Sequence, residues 1–165
     1  GALANARELQ QLFAASRQAP PDHLVVAIGN PVLRQTWQQR LEHAGAPLGV
    51  VLHPMASVSA SAQLAPGCVV LAGAVVNANA CLHSGVLVNS GAVVDHDAIC
   101  DPFSQLGVNA SMAGGSRLGP RACLAPGEVL ACGQTRFAIS GCVTGELISA
   151  EGSASPLSAC PDGPI

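Results

Sequence analysis

The chain has no lysine and few aromatic residues, at 2% of 165 positions. Its seven arginines are scattered, and the formal net charge is −3. Without a basic stripe, nucleic-acid binding is not expected, nor is a polybasic contact with a membrane. No stretch reaches the roughly 18 consecutive apolar residues of a membrane span. The first residues, GALANARELQQLF, carry charges early and lack an apolar signal core, so a cytoplasmic location is expected. The scarcity of aromatics excludes an ordinary globular core, which takes much of its bulk from Phe, Tyr and Trp.

What is present is small and aliphatic. Hydrophobic residues make up 49% of the chain, with 18 glycines and 12 prolines. Such a mixture suits a narrow solenoid. The seven cysteines include no CxxC pair and read as reduced, small apolar side chains. Cys68 and Cys100 fall on inward positions of the repeat described next.

From Pro54 the sequence divides into sixes: PMASVS, ASAQLA, PGCVVL, AGAVVN, ANACLH, SGVLVN, SGAVVD and onward. An apolar residue recurs at Val58, Leu64, Val70, Val76, Leu82, Val88, Val94, Cys100, Leu106, Met112, Leu118, Leu124 and Leu130. With half the chain apolar, chance would fill one chosen phase this way about once in 10⁴. Two residues before nearly every one lies a small residue, such as Ala62, Cys68, Ala74, Ala80, Ala92 or Ala98; Val86 is the bulky exception, and Glu128 ends the series. A period of six fits neither an amphipathic helix nor a long alternating strand. It predicts short strands separated by corners, with three hexapeptides to each triangular coil. The large aliphatic fills the interior, and the small residue is expected to let the chain turn. Each coil covers its interior only against the next, so several must stack. After Leu130 the pattern frays: Arg136 stands where an aliphatic is expected, and Cys142 and Ile148 recover the phase.

Ahead of the repeat, residues 5–18 have helical periodicity, and HLVVAIG (23–29) reads as a buried strand. Asn30 and Pro31 suit a helix start. The helix is expected to run to about His43, with Gly45 as its stop. LGVVLHP (48–54) reads as another strand. The expected architecture is mainly β: a left-handed parallel β-helix preceded by a small partial α/β segment. The expected divisions are 1–52, a Rossmann-like remnant; 53–150, the β-helix; and 151–165, a loose tail. No glycine-rich phosphate loop occurs before residue 45.

Three stretches carry a resemblance. VAIGNPVLR (26–34, with the strand starting at Val25) resembles an AIGN-x-x-x-R segment. LHPMASVSASAQLAPG (52–67) resembles an entry into a first coil. VNSGAVVDHDAICDPFSQLGVNASMAGGSRLG (88–119) resembles an active-site stretch, with its His-Asp pair, Phe-Ser and Ala-Gly-Gly in register. Together they resemble the sialic acid O-acetyltransferase family (the NeuD and PglD type) of hexapeptide-repeat acyltransferases, N-terminally shortened. The left hand of the helix is implied by this resemblance and not by the period. So are a homotrimer, acetyl-CoA as co-substrate between neighbouring β-helices, and a sugar or nucleotide-linked amino sugar as acceptor.

Acetyl transfer from a thioester needs a base for the acceptor proton and donors for the developing oxyanion. His96 is the candidate base, and imidazole titrates in the right range. Asp97 or Asp95 could orient it; the resemblance favours Asp97. Three hexapeptides complete one coil, so Gly114 is expected to stack beside His96, with Ala78 on the other side. Gly114 then lies at the acetyl site, its N–H able to face the acetyl carbonyl, or it merely forms a corner with Gly115. The resemblance adds Pro126, Gly127 and Gly141 along the pantetheine groove. It adds Gln105 near the acceptor, and Asn89, which could contact the acceptor or serve equally as a polar turn residue. Apart from the resemblance, Gly29, Asn30 and Arg34 sit at a strand end and helix start, where α/β folds bind ligands. For Asn30 a plain helix cap, and for Arg34 a solvated helix face, are the competing readings. No metal is expected. A zinc site of the γ-class carbonic anhydrase type needs three converging histidines, and the spacing of His83 and His96 puts them at different positions of the coil. The competing functional reading is a non-catalytic or truncated β-helix assembly or binding module that has lost turnover.

Overall fold

A computed structural model describes residues 23–138. The predicted helix at 5–18, Gly141, Cys142, Ile148 and the tail lie outside these residues. The fold is a left-handed parallel β-helix preceded by a short α/β segment.

Among the described residues, fifteen two-residue strands, β1 (Val51–Leu52) to β15 (Thr135–Arg136), form three parallel sheets of five strands each. Every third strand joins the same sheet, as in the pairing of β8 (Val93–Val94) with β5 (Val75–Val76) and β11 (Ser111–Met112). The register is one full coil of three hexapeptides throughout, so Val76, Val94, Met112 and Leu130 stack in one column. The sixth-position residues from Val70 to Leu130 are buried and form the core, with Val58 and Leu64 partly covered at the first coil. Each buried Val or Leu contributes ~1.5–3 kcal/mol relative to exposure. The column needs its neighbours, because nothing but the next coil covers it.

The small residues do not do what the period suggested. Ala62, Cys68, Ala74, Ala80, Ala92, Ala98, Ala110 and Ala122 are buried and fill the narrow angles of the triangle. Val86 fits the same position fully buried. The chain turns one residue earlier. Gly67, Gly73, Asn79, Gly85, Gly91, Asp97, Phe103, Asn109, Gly115, Arg121, Gly127 and Gly133 all have φ between +55° and +81°. Each is the third residue of a turn closed from fourth N–H to first C=O, such as Ala98 N to Asp95 O at 3.3 Å. A positive φ there is the type II requirement, which is why Gly, Asn and Asp predominate.

The α/β segment is slighter than its sequence implied. The stretch 23–29 is no strand: Leu24 makes a single parallel bridge to Leu48. An extended pair without a third strand gains little. Val51 and Leu52, expected in a strand of this segment, belong instead to the first coil, where β1 pairs with β4 (Val69–Val70). The helix α1 (Pro31–His43) forms as predicted: Asn30 caps it, accepting from Val32 N and Leu33 N at 3.0 Å, and Gly45 follows with φ +70°.

Candidate active site

The coil register builds three columns of corners, and they differ sharply in what they present. One column holds residues 59–62, 77–80, 95–98, 113–116 and 131–134. Asp95 opens the third of these turns, His96 is its second residue and Asp97 its third. Asp97 has φ +57°, a conformation in which Asp is among the tolerated non-glycine residues.

His96 and Asp97 meet directly, Nδ1 to Oδ2 at 2.8 Å, with both side chains more than half exposed. This contact puts the ring proton on Nδ1 and leaves Nε2 as the acceptor. The hydrogen bond that His96 donates to Asp97, and then the charge of Asp95, hold the His96 imidazole above its ordinary value. Asp97 is held below the usual carboxylate range, first by His96 and then by Asn79. Asp95 is likewise lowered, first by the Asn77 amide and then by the His96 N–H. The corner therefore carries two ionised carboxylates beside an imidazole that gains from being protonated.

Gly114 stacks over His96 from the next coil: Gly115 N donates to His96 O at 2.9 Å. A Cβ on Gly114 would stand 2.5 Å from Nε2 of His96. Gly114 is thus a glycine because the imidazole lies across it. Its backbone does not demand glycine, since only Gly115 has a positive φ, at +64°. The Gly114 N–H has no hydrogen-bond partner among the described residues. Its carbonyl accepts from Gly133 N at 3.1 Å and from the exposed, free thiol of Cys132 at 3.0 Å. A base nitrogen, a fixed tautomer and an unspent backbone donor converge here, which is what acyl transfer from a thioester requires.

The other predicted site residues lie elsewhere. Asn89, Pro126 and Gly127 sit on a second column of corners; Asn89 Oδ1 accepts from Ser90 N at 2.8 Å, and Pro126 and Gly127 are exposed. Arg34, read as facing solvent or a phosphate, is 1% exposed and ties α1 to the third column. Its Nε donates to Gly85 O at 2.9 Å and Nη2 to Phe103 O at 3.0 Å, while Nη1 reaches Ile28 O, Gly29 O and Gln105 Oε1. Gln105 is thereby engaged by Arg34. Asn30 spends its side chain on the helix cap, so the first free N–H groups of α1 are satisfied from within. Gly29, Asn30, Arg34 and Gln105 form a structural joint, and the single chain does not bring them to His96. His53, His83 and His96 lie toward three different columns, and no group of three or more possible metal ligands is found among the described residues. The buried thiol of Cys68 is pushed up to about 12, and burial raises Cys100 as well, so neither is a nucleophile. No helix of the described residues is long and apolar enough to cross a membrane.

No protein-family model matches the chain, and no curated protein does. Solved structures do. PerB from Caulobacter crescentus, in complex with CoA and GDP-perosamine, is 38% identical over 71% of this chain and 56% of that one, with a TM-score of 0.69. The chain is similar to sugar N-acetyltransferases. A histidine-to-asparagine mutant of perosamine N-acetyltransferase from Caulobacter crescentus, also with CoA and GDP-perosamine, is 37% identical over the same shares at a TM-score of 0.69. The acetyltransferase domain of PglB from Neisseria gonorrhoeae FA1090, with acetyl coenzyme A, is 34% identical over 78% of this chain and 62% of that one, at a TM-score of 0.71. The chain spans between 56% and 62% of the length of these proteins.

The asparagines beneath the histidine, Asn77 and Asn79, were not among the predicted site residues. The signal for them was in the sequence: each stands one full coil before an aspartate of the DHD triplet.

Proposed function

We propose that this chain transfers an acetyl group from acetyl-CoA to a sugar, with the amine of a nucleotide-linked amino sugar as acceptor. The observation that carries the reading is His96 Nε2 lying across Gly114 while Asp97 holds Nδ1. The acetyl thioester supplies an activated carbonyl. As the acceptor nitrogen bonds to the acetyl carbon, His96 takes its proton at Nε2, Asp97 stabilises the imidazolium, and the Gly114 N–H is the donor for the oxygen on which charge develops; the C–S bond then breaks and the departing CoA thiolate takes the proton back from His96. No covalent enzyme intermediate is needed if the acceptor attacks directly.

Two things favour an amine over a hydroxyl. Carboxylates flank the base on both sides, a field that attracts an ammonium and does nothing for a neutral hydroxyl. The solved relatives include a perosamine N-acetyltransferase with GDP-perosamine bound.

The reading includes a homotrimer with the cofactor between copies. Val75, Val93 and Val129 line the outside of the sheet that joins the His96 column to the Pro126–Gly127 column. Val75 and Val93 are half-buried, Ser111 stands between Val93 and Val129, and Val129 is 65% exposed; this mainly apolar strip suits the side of a second copy. Pro126 and Gly127 would then line the pantetheine arm.

The test is CoA thiol release with a panel of amino sugars and nucleotide-linked amino sugars, each beside its hydroxyl counterpart. The expected outcome is release with an amino sugar that falls ~10²–10⁴-fold in His96→Ala. Release only with hydroxyl sugars would reverse the acceptor assignment. A folded wild type that releases no thiol with any of them would favour the assembly-module reading instead.

A further inference from the structure

We infer that Asn79 is a positioning residue for His96, its amide fixing Asp97 from the coil below. The inference rests on the acetyl-transfer reading and adds a residue to it. The Asn79 amide donates to Asp97 Oδ1 at 3.2 Å, and the other oxygen of that carboxylate, Oδ2, lies 2.8 Å from His96 Nδ1. The terminal torsion of Asp is broad and roughly two-fold. On an exposed corner the carboxylate would turn freely, presenting either oxygen to the imidazole or none. An amide at one oxygen selects the orientation in which the second meets Nδ1.

The same device operates one step away. The Asn77 amide donates to Asp95 Oδ1 at 2.8 Å, and that oxygen also accepts from the His96 N–H at 2.8 Å. Two amides in one coil thus hold the two carboxylates that flank the base in the next. Among the described residues, the titratable groups that act on the imidazole are Asp97 and Asp95; Ala78 lies one coil beneath it and Gly114 one coil above. Cys132, one coil further, meets the Gly114 carbonyl.

The simpler account of Asn79 is that its φ of +57° calls for Asn. Glycine serves the same turn position at seven other corners, from Gly67 to Gly133, so the turn needs no amide. This makes the test clean. Asn79→Gly keeps the turn and removes only the donor. Asn109 is the control: it has φ +55°, and Gly127, not an acid, stacks above it.

The experiment is a proton NMR titration of the His96 imidazole in the full chain without ligands, the resonance being assigned by its loss in His96→Ala. Asn79→Gly is expected to move the titration to lower pH and to lower kcat roughly tenfold with KM held. That loss is within the up to hundredfold cost of a slightly misplaced reacting group. Asn109→Gly is expected to leave the titration where it was. An unmoved titration in Asn79→Gly, an equal movement in Asn109→Gly, or a moved titration with kcat intact would each overturn the inference. Should the wild type transfer no acetyl group, the functional reading fails by itself, and the titration alone still decides whether Asn79 fixes the Asp97–His96 pair.

Discussion

Two columns of corners in this molecule share a backbone and little else. At the His96 corner the αL residue is Asp97, the side chains are exposed, and neighbouring coils contribute amides and a glycine. At the Phe103 corner the αL residue is buried: its ring lies against Gly85, where any Cβ would run into it, and its carbonyl is held by Arg34. Gln38, one turn along α1 from Arg34, donates to Ser84 Oγ at 2.8 Å in the same column. The repeat fixes the path of the chain, and the side chains that project from it decide what each corner does. One corner is left open to chemistry; the other anchors the only helix among the described residues.

Substitutions can break that contrast from either side. The largest effect on stability is expected from Arg34→Ala, which strips a buried donor from several carbonyls at once. Unfolding in urea should show a loss of about 3 kcal/mol, with kcat little changed if this corner is purely structural. Phe103→Gly relieves a strained φ of +60° but removes a buried ring. The expected net loss is about 2–3 kcal/mol, read from the same midpoint shift. Next comes the open corner. Asp97→Asn keeps a residue tolerant of αL but removes the charge that favours imidazolium. A base acts when unprotonated, so activity of the wild type should rise with pH through a midpoint above the ordinary histidine value. In the variant that limb should move to lower pH, and the plateau kcat should fall roughly tenfold or more. The smallest effect has the opposite sign to Phe103→Gly at an equivalent turn position. Arg121 has φ +58° and is exposed. Arg121→Gly should raise stability by ~0.5 kcal/mol, the relief of αL strain less the greater entropy of glycine in the unfolded chain.

The solenoid was legible because its core is periodic: once Val70, Val76 and Leu82 are seen to recur in sixes, the interior follows. The turn was legible too, in Gly67, Gly73, Asn79, Gly85, Gly91 and Asp97, but the small buried residue beside it recurs with the same period and is mostly Ala, so composition alone does not say which of the two makes the turn. Phe103 and Arg121, which hold the same φ without being Gly, Asn or Asp, carry no local signal. The stacking of Gly114 on His96 followed from the coil of three hexapeptides. The role of Arg34 did not, because its partners are backbone carbonyls on Gly85 and Phe103, 51 and 69 residues away. A polar side chain on a helix shows in sequence as surface unless its acceptors can be seen. The stretch 23–29 looked like a strand by composition and lacked the neighbouring strands that would have made it one.

The central claim is that the acetyl thioester is bound at the corner where His96 lies across Gly114. Calorimetry with acetyl-CoA on the wild type and on Gly114→Trp tests it most directly. The account predicts saturable binding by the wild type that the indole abolishes, with the cooperative unfolding of the variant retained. Binding of equal strength in both proteins would place the thioester away from this corner and contradict the account.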